Sequence, residues 1–218
     1  MCVLLVYLLV GFGFDEDQSS ETKHGELKLV FADDFEKKSD RWETTDDAAW
    51  RYDKNDGNSV FGLNRRKSDY KPPVRSPYNI ALIKDLQVED FVVTFDVRST
   101  KDTGNHRDCC VFFCYQNPQQ FYYVHLGAKP DKHSGQVMIV DQKPRLALTK
   151  NENLVAWTDD WHKVKLVRDS KKGLIEIYFD DFEKPLMSVT NNVFGKGRIG
   201  IGSFDDMNDF DNVKVYSK

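Results

Sequence analysis

Beyond residue 26 the chain alternates short apolar runs with clusters of turn residues. "LKLVF" (27–31), "NIALI" (79–83), "FVVTFDV" (91–97), "CCVFFCY" (109–115), "FYYVHL" (121–126) and "QVMIV" (136–140) come first. "WHKVKLV" (161–167), "LIEIYF" (174–179), "GRIGIGSF" (197–204) and "FDNVKVY" (210–216) follow. Between them lie "KDTGN", "QNPQQ", "KPDKHSG" and "DSKKG", rich in the Gly, Pro, Asn and Asp that mark hairpin turns. No stretch of a dozen residues keeps a 3.6 period, so the pattern predicts an all-β chain.

Alternation separates two kinds of strand. Val164 and Leu166 alternate with Lys163 and Lys165, and Ile175, Ile177 and Phe179 with Glu176 and Tyr178. Such strands pack one side on a core and turn the other to solvent. "CCVFFCY" and "FYYVHL" are bulky on both sides. One side faces the core; the other must line a groove or a second packed layer. If Tyr122, Val124 and Leu126 point to the core, Phe121, Tyr123 and His125 share the opposite face.

Length and charge narrow the picture. With 218 residues and 40% hydrophobic content, the chain can bury one sizeable core, which predicts a single main domain over residues 27–218. The 31 Lys and Arg are mixed along the chain with 35 Asp and Glu, for a net charge of −4. That mixture predicts no nucleic-acid footprint. Residues 1–14, "MCVLLVYLLVGFGF", are too short an apolar run to span a bilayer and read as a signal segment, with residues 15–26 as a polar linker. The expected location is therefore secreted, periplasmic or cell-surface, with no stable membrane span. Cys109, Cys110 and Cys114 are expected to be buried thiols, since Cys110 and Cys114 on one strand stand about 13 Å apart.

The opening "LVFADDFEKKSDRWE" with "AAWRYD" after it, the central "WHKVKLVRDSKKGLIEIYFDD" and the closing "GRIGIGSFDDMNDFDNVKVY" resemble the concanavalin A-like lectin and glucanase superfamily. Within it the chain is similar to laminin G-like and 3-keto-disaccharide hydrolase-like domains of secreted bacterial proteins. The resemblance implies a two-sheet antiparallel jelly-roll sandwich whose first and last strands pair and whose concave face can hold a saccharide. That fold also hosts hydrolases, lyases and adhesion modules. It further implies a structural Ca²⁺ held by an Asp before the last strand, here Asp211, with Asp34 as a second ligand and backbone carbonyls completing the shell. Asp211 shares the parity of Val213 and Val215 and is expected to point inward, where a lone carboxylate needs a partner. The alternative is a carboxylate accepting backbone N–H groups.

Candidate chemistry clusters near "HRDCCVFFCY". His106, Arg107 and Asp108 precede that strand, Tyr123 and His125 lie on the returning one, and His133 follows in "KPDKHSG". No zinc-type His spacing occurs. Arg, Asp and His offer directed donors and acceptors for sugar hydroxyls, and aromatic rings offer flat faces. Arg75, Tyr78 and Asn79 in "VRSPYNIALI" form a second possible rim. If Ile199 and Ile201 fill the core, Gly200 and Gly202 leave an open floor flanked by Phe204 and Asp206, or else mark close strand packing. The E-x-D-x-E carboxylate motif of family-16 glucanases is absent, and the paired Gln-x-His and Tyr-x-Lys signatures of polysaccharide lyases do not occur together. The sequence therefore predicts a carbohydrate-binding domain with no organic cofactor. A glycoside hydrolase using His106, Asp108, His125 or Asp206, or a laminin G-like adhesion module, stands as the alternative.

Overall fold

A computed structural model describes residues 27–38, 40–55 and 57–218; the signal segment and linker expected at residues 1–26 lie outside the described residues. In chain order the strands are β1 (Lys28–Asp33), β2 (Trp42–Thr44), β3 (Trp50–Asn55), β4 (Asn58–Leu63), β5 (Asn79–Ile83), β6 (Phe91–Ser99), β7 (Cys110–Asn117) and β8 (Gln120–His125). Then come β9 (Gln136–Asp141), β10 (Leu146–Ala147), β11 (His162–Asp169), β12 (Leu174–Phe179), β13 (Met187–Thr190), β14 (Arg198–Ser203) and β15 (Asn208–Ser217). They form two antiparallel sheets. One runs β13-β12-β11-β6-β15-β4-β3, with β1 also paired to β15; the other runs β10-β9-β8-β7-β14-β5-β2. The first and last strands pair, from Lys28 opposite Ser217 to Asp33 opposite Val213. Among the described residues no helix is long and apolar enough to cross a membrane.

The alternation in the sequence sets which side chains meet. In β6, Phe91, Val93, Phe95 and Val97 enter the core between the sheets while Val92, Thr94, Asp96 and Arg98 face outward. Tyr122 and Val124 of β8 join that core with Leu126 just beyond it, as their parity predicts. Each fully buried aromatic or branched aliphatic side chain contributes roughly 1.5–3 kcal/mol through burial, so the inner layer supplies most of the driving force for the sandwich.

Two bulges change the phase of this pattern. Cys114 takes a left-handed backbone (φ 49°), so Phe113 and Cys114 both face the inner core and Tyr115 returns to the outer side. Gly197 is required beside it, because a Cβ there would lie 2.4 Å from the Cys114 carbonyl carbon. A second bulge puts Asn212 at φ 51° between the pairs Asp211–Asp96 and Lys214–Thr94. It overturns the expected parity of Asp211. Phe210, Val213 and Val215 all enter the core, so Asp211 lies on the outer face beside Asp96, the one extra residue having shifted the phase.

Candidate functional site

The outer face of the seven-stranded sheet carries a second packed layer: Ile80, Leu82, Cys110, Phe112, Tyr115, Phe121, Tyr123, Met138, Val140 and Phe204. The segment 64–78 crosses this layer, and Tyr70, Val74 and Tyr78 pack on it. Ser68 Oγ donates to the Tyr78 carbonyl (2.6 Å), and Asn79 Nδ2 to the Arg66 carbonyl (2.7 Å) and to Ser203 Oγ (3.1 Å). Of the two possibilities for the bulky strands, the packed layer is the one observed.

The open glycine floor does not form. A Cβ on Gly202 would stand 2.0 Å from the Asn79 carbonyl oxygen and 3.2 Å from the Phe112 ring; one on Gly200 would stand 2.5 Å from the Ala81 oxygen and 2.7 Å from Leu82. These glycines let β14 approach β5 closely, and neighbouring side chains close over them.

At one end of this sheet the row Gln136, His125, Cys110, Gly202 and Ile80 runs across β9, β8, β7, β14 and β5. Just past the row, two loops tie to each other through carboxylates. Asp108 Oδ1 accepts the Phe204 N–H (2.8 Å) and its Oδ2 the Asp205 N–H (3.4 Å). Asp206 Oδ2 accepts the Asp108 N–H (3.2 Å) and the hydroxyls of Ser99 (3.3 Å) and Thr103 (3.4 Å). Asn208 Nδ2 donates to the Asp108 carbonyl (2.9 Å). Asp108 and Asp206 are 2% and 0% exposed, so both carboxyl groups are closed from solvent. Burial, with the neighbouring Asp108 charge, raises the Asp206 carboxyl to about 6. The pair fixes the turn that presents Phe204.

Phe204, itself buried, is the centre of a cluster that reaches the surface through Tyr78 and Arg145. The His125 ring stacks on it at 5.5 Å between centroids, Tyr78 meets it edge-on at 5.4 Å, and the Arg145 guanidinium lies 4.1 Å from its centroid. His125 Nδ1 donates to the His133 carbonyl (2.9 Å), and its Nε2 stands 3.7 Å from Asp108 Oδ2. The exposed His133 side chain has its pKa lowered, by desolvation and then by the charges of Arg145, Lys132 and Arg75. Tyr123 lies fully buried beneath, and burial holds its phenol well above the usual range.

Not all the predicted residues gather here. Arg75, Tyr78, His125, His133 and Phe204 do, with Tyr123 below them and Asn79, Asp108 and Asp206 as ties. Arg107 turns away: its Nη1 donates to the Thr158 carbonyl (2.6 Å), and its Nη2 pairs with Asp159 and with Asp102 (3.2 Å). His106 is exposed in the 3-10 turn Gly104–His106. Arg145 was not predicted, nor was the strap at 64–78; the signals available were "KPR" (143–145) and the five Lys and Arg against one Asp in "NRRKSDYKPPVRSPY".

At the other predicted site, Asp211 accepts Asn58 Nδ2 (2.8 Å) and the Asn212 N–H (2.7 Å), and Asn212 Nδ2 donates to Asp96 (2.9 Å). Burial, followed by the charges of Asp96 and Asp34, raises the Asp211 carboxyl. Among the described residues no three His, Cys, Asp or Glu side chains converge to hold a metal ion. The Asp211 and Asp96 carboxylates each accept an amide donor from a neighbouring Asn side chain.

No family model matches the sequence, and no curated protein does. Solved structures do resemble the fold. The carbohydrate binding module CBM66 from Bacillus subtilis aligns with a TM-score of 0.58 at 16% identity, over 81% of this chain and 96% of its own. Domain 4 of AbnA, an extracellular arabinanase from Geobacillus stearothermophilus solved with arabinotriose, aligns at 0.55 and 12% identity over 88% and 94%. Winged bean acidic lectin, solved with methyl-α-D-galactose, aligns at 0.52 and 11% over 88% and 98%. These likenesses show the fold, a concanavalin A-like jelly-roll sandwich.

Proposed function

We propose that this protein is a carbohydrate-binding β-sandwich that holds a sugar against the Phe204 end of its seven-stranded sheet. The observation that carries the proposal is the cluster itself: Phe204, Tyr78 and His125 rings packed together beside Arg75, Arg145 and His133. The partly exposed Tyr78 ring, packed on the buried Phe204, offers a flat face to a pyranose or furanose ring, and the surrounding polar groups fix its hydroxyls. The fold neighbours that are sugar-binding modules support the same view. Binding is favoured over cleavage because Asp108 and Asp206 are engaged in the loop ties and cannot meet a substrate.

A glycan array followed by titration tests the proposal. Tyr78→Ala is expected to weaken any glycan found by about tenfold while melting stays within a few degrees. A silent array, or binding indifferent to Tyr78→Ala and His133→Ala, contradicts it. We also propose export, on the strength of the apolar run at residues 2–14; finding the full-length chain only in the cytosol of the producing cell would refute that. Calcium at Asp211 and Asp34 likewise stands as a proposal, and it would need an ion that draws its remaining ligands from backbone carbonyls.

A further inference from the structure

Resting on the carbohydrate-binding proposal, we infer that the sugar is acidic: the geometry points to an oxyanion substituent, a carboxylate or a sulfate ester, held between Arg145 and Arg75. Of the ten arginines in the chain, eight donate to a carboxylate or carbonyl oxygen. Among the described residues Arg75 and Arg145 have no such acceptor. They are neighbours, since the Arg145 N–H donates to the Arg75 carbonyl (3.0 Å). Both guanidinium charges bear on the same two side chains, Tyr123 and His133.

The surroundings of the pair are incomplete in a way an anion would complete. Arg145 rests on Phe204, and its Nε and Nη1 are buried without an acceptor. The hydroxyl of Tyr123, a fully buried side chain, also lacks a partner. Leaving buried donors unpaired is costly, and hydrogen bonds between a guanidinium and an oxyanion are about twice as strong as neutral–neutral ones. The adjoining strap adds a field of the same sign, with five cations against one Asp in a chain whose net charge is −4. Such a field speeds and orients capture of an anion.

Native gels cast with polygalacturonate, dextran sulfate or neutral dextran test the inference on the full chain. Retardation by an acidic polymer and none by neutral dextran is expected; polygalacturonate alone identifies a carboxylate, dextran sulfate alone a sulfate ester. Arg145→Ala and the exposed Arg75→Ala should each weaken retardation about tenfold or more, and Arg75→Glu should abolish it. Lys163→Ala, on the outer face of the other sheet, should change nothing. Equal retardation by a DNA duplex, or retardation that survives Arg75→Glu, would show a general polyanion surface and overturn the inference. A neutral glycan found on the array whose binding survives Arg75→Glu overturns it too, yet leaves the carbohydrate proposal standing. Silence in both assays removes both.

Discussion

Tyr122 and Tyr123 are adjacent in β8, and each is fully buried on its own side of the seven-stranded sheet with an arginine beside it. On the inner side the Tyr122 hydroxyl bonds Asn191 and accepts the Phe194 N–H (3.1 Å). Arg168, 5.8 Å from its ring, donates to the carbonyls of Gly173 (2.9 Å), Asn191 (2.8 Å) and Phe194 (3.3 Å) and to Asn192 Oδ1 (3.1 Å). On the outer side neither the Tyr123 hydroxyl nor Arg145 has an acceptor. On the inner face both side chains are bonded, with the Arg168 Nε alone left without a partner; on the outer face both stay open. Under the proposal above, the open donors of the outer face are those a bound ligand would partner.

The comparison breaks most easily at Arg168. Arg168→Ala should strand four acceptors, the buried carbonyls of Gly173 and Phe194 among them, and cost about 3 kcal/mol, while Arg145→Ala should cost under about 1 kcal/mol, the scale of its contact with Phe204. Urea denaturation of both variants checks this; equal losses would erase the distinction between the faces.

Next in size is the rim turn held by Asp206. Its folded pKa, raised to about 6 from 3.8, means the native state binds a proton more tightly than the unfolded chain does. The contribution is therefore present at low pH and is lost as pH rises from about 4 through 6, by on the order of 2–3 kcal/mol. Asp206→Asn should flatten this segment of the stability curve; an unchanged pH dependence would reject the assignment.

The tyrosines themselves give a smaller, sharper contrast. Tyr122→Phe should cost about 1–2 kcal/mol by stranding the Phe194 N–H, and Tyr123→Phe should be neutral or stabilise by up to about 1 kcal/mol. Smallest of all is the effect of calcium. An ion bound at Asp211 and Asp34 should raise the melting temperature by about 2 °C, an increment that chelator removes; a melting temperature indifferent to chelator would refute the calcium proposal.

The strand pattern of the sequence carried most of the fold, because period-two alternation reports directly which side chains share a face. β5 and β12 lie where the runs at 79–83 and 174–179 placed them. The short strands β2, β10 and β13, of two to four residues, are too brief for alternation to declare itself. Asp211 shows the limit of parity, since Asn212 shifts the phase by one residue, and the only signal in "FDNVKV" is the readiness of Asn to take a left-handed backbone. The site was half legible. Tyr123, His125 and Phe204 follow from register, but Arg145 joins them only because the chain returns between β9 and β10 to pair with the strap at Arg75, a long-range contact that local pattern does not encode.

If the outer face of the seven-stranded sheet is the ligand face, Arg145 must contribute to binding and not to folding. Calorimetric titration of the wild-type protein and of Arg145→Ala with an oligogalacturonate measures this directly. The wild type is expected to bind and Arg145→Ala to bind about tenfold or more weakly, with its melting temperature nearly unchanged. Equal affinity of the two proteins, or no binding by either, would contradict it.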